Sequence, residues 1–497
     1  MRITFIYLDL ASDQPTYTGY FYHGIASLSA VLKKAGYQTS LIQLTKEIPT
    51  AQFQEKIEKL DPDLIAFSST SHMFPLVKKY AAIVKKMTKT PIICGGVHAS
   101  ICPEEVVSDQ NIDMACIGEG ELTFLELCQK LEKGQNIKDI KNIWIKKGGI
   151  IYRNEIRPLI LNLDELPFPD REIFDYPNLN LERRGIGTFM FSRGCPYRCA
   201  FCCHPNLRKL YPNPKNYFRF RSPHLAIQEI KQVIKKYPFI KFIRLDDDLL
   251  LANMDWVKEF IPRYKKEIGL PFSADLRVNL ATEELFDILK GAGGHLIHFG
   301  VESGNDRILK EVLSKDITVR QIKKAFKLAK EKNIKTQSYN IIGIPEESSK
   351  EVLDTIKLNA QIKPDISLVS IFYPYRGIAL YDYCLSKGYF KKEDSLMIPK
   401  NFYSFSVLSL PTIRKAQISF FFRYFHLLKN FYSVLYKIPF SKPLIFLSDK
   451  FFGWRHAPEI IKITFDPLRS GIRLIRQRIF STKTFDTEAL GRNQEKV

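Results

Sequence analysis

The sequence predicts an α/β protein: a doubly wound parallel sheet over residues 1–135, a connector over 136–185, a partial (β/α)6 barrel over 186–395 and an α-helical extension over 396–497. Three observations carry that reading. Apolar strand-like runs alternate with helical periodicities in two separate series. A proline-rich stretch, Leu166-Pro167-Phe168-Pro169-Asp170, divides them, because proline removes a backbone donor and precludes regular structure. Beyond about residue 400 the pattern changes to dense aromatics among lysines and arginines. A length of 497 residues suits about three domains, and 45% hydrophobic content is ample for their cores.

In the first series the strands read 2–8, 39–44, 63–69, 91–96 and 114–118, with helices at about 24–35, 51–59, 75–87 and 120–133. Gly36 punctuates the first helix. In open sheets of this kind ligands bind beyond the carboxyl ends of the strands. Those ends are Ser68-Ser69-Thr70-Ser71, Gly95-Gly96-Val97-His98 and Gly118-Glu119-Gly120-Glu121, whose small residues let a bulky ligand approach the backbone. In the connector, pieces at 142–146 and 150–153 flank Lys147-Gly148-Gly149 and read as a hairpin. The second series has strands at 188–193, 239–245, 271–277, 295–301, 335–342 and 365–373. Ser222 before Pro223, Thr282 and Thr318 read as helix caps, and Ile227, Ile230, Ile234 and Tyr237 line one helical face. A parallel arrangement of this kind places its site at the strand C-termini.

The extension is the basic part. The net charge is +21, and residues 400–497 hold 17 Lys and Arg against 6 Asp and Glu. Helical periodicity runs through 412–436 and 468–480, around Phe420-Phe421-Phe422-Arg423-Tyr424-Phe425-His426. Such a surface suits anionic lipid or nucleic acid, or is simply a solvated face. The amino terminus reads as a strand and no 18-residue uncharged apolar run occurs, so neither a secretory signal nor a spanning helix is expected. Nine cysteines, scattered apart from one cluster, suit a reducing cytoplasm. Cys94, Cys102, Cys116, Cys128 and Cys384 read as small core residues, and Cys203 as a spare thiol beside the cluster.

That cluster is the most specific feature: Cys195, Cys199 and Cys202, spaced C-x3-C-x2-C after the first barrel strand. Three thiolates this close hold three corners of a cubane iron–sulfur cluster, and the missing fourth ligand leaves one iron open. The alternatives are zinc, which needs four ligands and has His204 to complete them, and a disulfide, which needs an oxidising compartment. Asp246-Asp247-Asp248 ends the second barrel strand, where adjacent carboxylates also suit magnesium. Arg277 ends the third, with a guanidinium that forks onto a carboxylate or makes a structural ion pair.

On these residues the chain resembles the cobalamin (B12)-binding-domain-containing radical S-adenosylmethionine (SAM) family. The amino-terminal half contributes His23-Gly24-Ile25-Ala26-Ser27-Leu28, Leu32-Lys33-Lys34-Ala35-Gly36-Tyr37, Gly95-Gly96-Val97-His98-Ala99-Ser100 and Gly118-Glu119-Gly120-Glu121. The barrel contributes the cysteine loop, Glu302-Ser303-Gly304, Gly343-Ile344-Pro345-Glu346-Glu347 and a variant of Asp-Asp-x-Phe-x-x-Asn, in which Asn253 is kept and Leu250 replaces the aromatic.

The resemblance implies a Rossmann-like cobalamin domain and a [4Fe-4S] cluster on Cys195, Cys199 and Cys202, its open iron chelating SAM. It implies Phe201 against the adenine, Asp247 or Asp248 facing the SAM amino group, and Arg277 on its carboxylate. Glu302 and Ser303 would serve the ribose or head group, although a barrel-rim ion pair is the plain alternative for Glu302, and Gly343 would admit the adenine. Ser68, Thr70, Gly95, Gly96, Gly118 and Glu119 would line the cobalamin. The Asp-x-His-x-x-Gly signature that supplies an imidazole to cobalt is absent, so His23, His72 and His98 read as surface or loop histidines.

The implied reaction is cleavage of SAM to a 5′-deoxyadenosyl radical and methylation of an unactivated centre from cobalamin, on a small-molecule or lipid-like substrate, with electrons from a flavodoxin- or ferredoxin-type donor. The same architecture serves cyclisation and rearrangement. A tRNA methylthiotransferase would need three further amino-terminal cysteines at strand loops and a terminal β-barrel, which disfavours nucleic acid as a partner. A non-catalytic cobalamin or SAM sensor would not need an intact cluster motif. The implied location is cytoplasmic, with the basic extension suited to a membrane surface.

Overall fold

The computed structural model describes residues 1–10, 16–391, 393 and 405–460. The first unit runs β1 (Arg2–Leu8), α1 (His23–Lys34), β2 (Gln38–Leu44), α2 (Thr50–Leu60), β3 (Leu64–Ser68), α3 (Phe74–Met87), β4 (Ile92–Gly95), α4 (Val97–Ile101), α5 (Pro103–Ser108), β5 (Met114–Cys116), α6 (Glu121–Glu132), β6 (Ile143–Lys147) and β7 (Ile150–Arg153). Its sheet has the order β2-β1-β3-β4-β5-β6-β7. The first five strands are parallel and the last two antiparallel. β3, β4 and β5 are buried throughout because helices cover both faces, which is why they read as unbroken apolar runs. The hairpin expected within a connector over 136–185 is therefore the antiparallel edge of this sheet: Met114 to Cys116 pair with Ile145 to Ile143.

The second unit runs β8 (Ile186–Phe189), β9 (Ser192–Arg193), α7 (His204–Lys209), β10 (Arg219–Phe220), α8 (Pro223–Lys236), β11 (Phe242–Leu245), α9 (Met254–Glu267), β12 (Phe272–Leu276), α10 (Glu283–Gly291), β13 (Gly294–Glu302), α11 (Val319–Glu331), β14 (Lys335–Ile342), α12 (Ser349–Ile362), β15 (Ile366–Ile371) and α13 (Ala379–Ser386). Six parallel strands form one sheet in the order β8-β11-β12-β13-β14-β15, the expected partial barrel. The caps form as the sequence predicts: Ser222 accepts from Leu225 N, Thr282 from Leu285 N, and Thr318 makes a capping box with Gln321.

The strand expected at 188–193 divides in two. β8 leaves the barrel sheet after Phe189, and Ser192–Arg193 pairs antiparallel with β10 instead. The reason is Asp247, whose Oδ1 accepts from Phe191 N at 2.8 Å and Ser192 N at 2.5 Å and so bends the backbone off the ladder.

The described part of the extension is two helices, α14 (Lys415–Leu435) and α15 (Lys442–Gly453). Ile418, Phe421, Phe425 and Tyr432 are buried where α14 lies on α12 and β15. The helix expected at 468–480 falls outside the described residues. Among the described residues, no helix is long and apolar enough to cross a membrane. Cys94, Cys116, Cys128 and Cys384 are buried as expected, whereas Cys102 is only partly so. His23 and His98 are not surface residues but buried ones.

Candidate active site

β9 passes through Gly194 into the cysteine loop. Gly194 has φ +86°, and a Cβ on it would lie 2.2 Å from Tyr217 O, so only glycine makes this turn. Two backbone bonds hold the loop: Ala200 N donates to Leu313 O at 2.8 Å, and Leu380 N donates to Ala200 O at 3.2 Å. A π-helical turn at Ile308–Val312 precedes Leu313. Cys195, Cys199 and Cys202 are all partly exposed. Burial first, with Cys202, Asp248 and Cys199 close by, pushes the Cys195 thiol up to about 11. The Cys203 contact and then burial push Cys202 up as well. Ligands of this type must lose their protons, so binding here is coupled to proton release.

The donor set fits a cubane better than zinc. A cubane takes one thiolate on each of three irons and leaves the fourth open, whereas a structural zinc site takes four protein ligands. His204, the ligand zinc would need, bonds through Nε2 to Asp248 at 2.9 Å and through Nδ1 to Tyr217 Oη at 3.0 Å.

Around the loop the expected residues separate into two groups. Arg277 reaches it: Nη1 is 3.5 Å from Cys199 Sγ, and the guanidinium lies 3.8 Å from the Tyr197 ring centre. Phe201 is in the loop, with Lys315 Nζ 6.0 Å from its ring centre. Asp248 is about half exposed beside His204. Asp247 is 2% exposed and occupied by Phe191 N, Ser192 N and, at 2.6 Å, Ser192 Oγ, so it shapes the loop's base. Burial raises its carboxyl to about 8 despite those bonds.

Glu302 adopts φ +60° and pairs with Lys315 at 2.8 Å, the barrel-rim ion pair. Ser303 is fully buried, with its hydroxyl 3.5 Å from Thr355 Oγ1 and accepting from Asn305 N at 3.3 Å. Gly343, expected to admit the adenine, has φ +70° and faces Ile418 of α14, 3.0 Å from where its Cβ would be. Its N–H donates to Glu347 Oε2 at 2.7 Å.

The first sheet meets the loop through residues expected to line a cofactor. Glu119 accepts from Arg193 Nη1 at 2.9 Å, from Arg219 Nη2 at 3.0 Å and from Ile160 N at 2.8 Å. Arg193 also donates to Glu121 Oε1 at 2.5 Å. A Cβ on Gly118 would lie 2.5 Å from Tyr211 Oη. Gly118 and Glu119 thus take part in an interdomain clasp through Arg193, which lies two residues upstream of Cys195.

Farther along the same edge, Ser68 is buried, Gly95 lies in ordinary contact with Cys116, and Thr70 Oγ1 is 3.0 Å from His72 Nδ1. Gly96, at φ +93°, gives its space to Ser69, whose backbone O would be 2.7 Å from a Cβ. A cleft lies between these tips and the segment after β15, lined by His72, His98, Glu105, Tyr375 and Arg376. Burial lowers His72 to about 4 and His98 to about 3, so both imidazoles are neutral. His98 Nε2 is buried without a hydrogen bond among the described residues, 3.7 Å from Glu105. Buried without a partner, that nitrogen suits a polar group of a bound ligand.

Sequence reasoning missed the polar inner wall of the barrel. Arg244, Asp275 and His298 alternate with the buried Ile243, Leu245, Leu276, Ile297 and Phe299, so they occupy the other face of the sheet. Asp275 Oδ1 lies 2.7 Å from His298 Nδ1, and Arg244 lies 3.0 Å from Asp246 and 3.4 Å from Asp275. Their alternation was the available signal. Arg193, directly before Gly194-Cys195, carried no motif of its own.

A parallel half-barrel with a three-cysteine loop at the C-terminal end of its first strand, clasped to a doubly wound domain, defines a cobalamin-type radical SAM enzyme. Residues 20–128 match the B12 binding domain model and residues 189–358 the radical SAM superfamily model. An uncharacterised methyltransferase of Pyrococcus horikoshii is 30% identical over 82% of this chain and 89% of its own length, and the chain belongs to this cobalamin-binding radical SAM family. It is also similar to the cytidylyl-2-hydroxyethylphosphonate methyltransferase of Streptomyces wedmorensis, at 24% identity over 75% of this chain and 79% of that one. An anaerobic magnesium-protoporphyrin IX monomethyl ester cyclase of Rubrivivax gelatinosus is 24% identical over 76% of this chain and 68% of its own. Among solved structures, the fold is shared with the cobalamin-dependent SAM radical enzyme OxsB, with a TM-score of 0.72, 15% identity and coverage of 100% of this chain and 83% of that one. The methyltransferase TsrM of Kitasatospora setae has a TM-score of 0.62 and 15% identity, over 78% and 75% of the two chains. The cofactors of this enzyme class are a [4Fe-4S] cluster, SAM and cobalamin.

Proposed function

We propose that this enzyme methylates an unactivated centre of a small molecule that carries polar groups. The carrying observation is the clasp: the three-cysteine loop and the cofactor edge of the first sheet are fixed to each other by Arg193, Arg219, Glu119 and Glu121. Such a seam suits a reaction in which a methyl carrier and a radical source face one substrate. The cluster would supply the electron that cleaves SAM, and cobalamin the methyl group.

The chain's own residues orient and exclude. Cys195, Cys199 and Cys202 hold the cluster, and Arg277, stacked on Tyr197, steadies Cys199 and offers a free edge to the SAM carboxylate. Asp248 is the better placed of the two aspartates for the SAM amino group, since Asp247 is occupied. Phe201 packs the adenine. Ser68, Thr70, Gly95 and His98 border the cobalamin cleft. Arg244, Asp275 and His298 offer hydrogen bonds to the substrate, which favours a polar reacting end whether or not the remainder is lipid-like. Electrons come from an external flavodoxin- or ferredoxin-type protein, and nine cysteines suit a reducing cytoplasm.

The test is SAM turnover by the anaerobically reconstituted protein with cobalamin and reductant, following 5′-deoxyadenosine and S-adenosylhomocysteine together. Both products support methylation. Deoxyadenosine without S-adenosylhomocysteine supports the second reading, a cyclase, which the similarity to the Rubrivivax enzyme favours. No cluster and intact SAM overturn both.

A further inference from the structure

α15 is a helix without a buried residue. Its core-facing side, Ile445 and Phe452, only partly packs against α12 and α14. Its other side presents Phe446 at 59% and Leu447 at 60% exposure, and the preceding turn presents Phe440 at 96%. Phe431 and Val434 of α14 extend the same apolar surface. Of the nineteen large hydrophobic side chains exposed among the described residues, twelve lie between 427 and 460, so this is a patch and not background scatter. An apolar face this exposed marks an interaction site.

The charges around it choose between occupants. Lys437, Lys442, Lys450 and Arg455 are exposed on this hairpin, and Lys450 Nζ lies over the Phe446 ring, 4.7 Å from its centre. The two acids on this stretch among the described residues are paired: Asp449 with Lys357 and Tyr432, and Glu459 with Arg414. A face of aromatics ringed by cations with its carboxylates neutralised complements an anionic apolar phase, not a second copy of an equally basic face. Twelve residues make a helix about 18 Å long, too short to cross a bilayer but suited to lying in its interface.

We infer that the α14–α15 hairpin docks this enzyme onto the surface of an anionic lipid bilayer, with Phe440, Phe446 and Leu447 entering the acyl boundary. This goes beyond the catalytic reading and does not depend on it.

The experiment is flotation of the full-length reconstituted protein with vesicles of mixed phosphatidylglycerol and phosphatidylcholine, against vesicles of phosphatidylcholine alone, at low and high salt. Binding to the anionic vesicles is expected, about tenfold weaker in the double variant Phe446→Ser/Leu447→Ser, and weakened by salt and by Lys442→Glu/Lys450→Glu. Iron content and deoxyadenosine formation without vesicles check that each variant is folded and keep the catalytic reading separate. Equal flotation with both vesicle types, or none, overturns the proposal. So does vesicle binding unchanged by the serine pair, which would assign it to the chain beyond residue 460. A wild-type dimer that those serines dissociate, with no flotation, overturns it in favour of self-association.

Discussion

Removing Arg193 tests whether the clasp sets the geometry of the site. In Arg193→Met the aliphatic stem remains, and the bonds to Glu119 at 2.9 Å, Glu121 at 2.5 Å and Ser27 at 3.3 Å are lost. Glu121 is then the exposed flaw. Burial pushes its carboxyl up, but the Arg193 charge and hydrogen bonds more than offset this and hold it below its ordinary value. Breaking a buried pair costs about 3–5 kcal/mol, and since Arg193 is 23% exposed the lower end applies, about 3 kcal/mol. If that energy holds the two units together, the open state gains roughly two powers of ten in population. The assay is hydrogen exchange of the apoprotein at 118–121 and 193–221, with a double-mutant cycle against Glu121→Gln. Faster exchange at both segments, with the core of α12 unchanged, is expected, together with a coupling of about 2 kcal/mol between the two sites. Unchanged exchange in Arg193→Met, or additive effects in the cycle, would refute the clasp. Iron binding is expected to survive, because no cysteine moves; deoxyadenosine is expected to persist while methylation falls.

Cys199→Ala removes one cluster corner, and anaerobic reconstitution should yield no [4Fe-4S] absorbance and no deoxyadenosine while the far-ultraviolet spectrum is kept. Arg277→Lys loses the stack on Tyr197 and the fork; cluster content should hold while SAM binds roughly tenfold more weakly by equilibrium dialysis. Gly118→Ala combines φ +75° with a contact of 2.5 Å to Tyr211 Oη, so a loss of about 2 kcal/mol in urea unfolding is expected, smaller in the presence of Tyr211→Phe. Burial raises the Glu182 carboxyl from 4.5 to about 7, so the folded chain keeps a proton that the unfolded chain releases near pH 4.5. Stability contributed by that group should fall by about 3 kcal/mol as pH rises from 4.5 to 7, and Glu182→Gln should flatten the slope in apoprotein melts.

The elements legible in the sequence are those whose physics is local. Strand and cap signals act over a few residues, so β1 and β14 have the bounds the pattern gives, and the caps at Ser222, Thr282 and Thr318 act within one helical turn. The cysteine loop is legible for the same reason, since its three ligands span eight residues. What escaped is decided across long separations. β6 and β7 have ordinary hairpin signals, and only the bonds from Met114 to Ile145 show which sheet they extend. Asp247 and Asp248 are neighbours with the same chemistry, yet one faces Ser192 and the other His204.

At Gly118-Glu119-Gly120-Glu121 the second unit comes up to a strand tip that the sequence assigns to a cofactor. Small and acidic residues at a strand end do mark a place where something large approaches the backbone. Here, at Gly118, that approach is made by Tyr211 of the second unit, and the carboxylates meet Arg193 and Arg219. The same rule applied to Gly96 finds Ser69. A glycine at a strand end therefore licenses close approach without naming the visitor. Ligand and neighbouring domain satisfy the same steric demand, and only a separate polar observation, such as the orphaned His98 Nε2 beside the cleft, tells them apart. The cleft with His98 lies at the tips of β3 and β4, and the tip of β5 carries the ion pairs that join the two units.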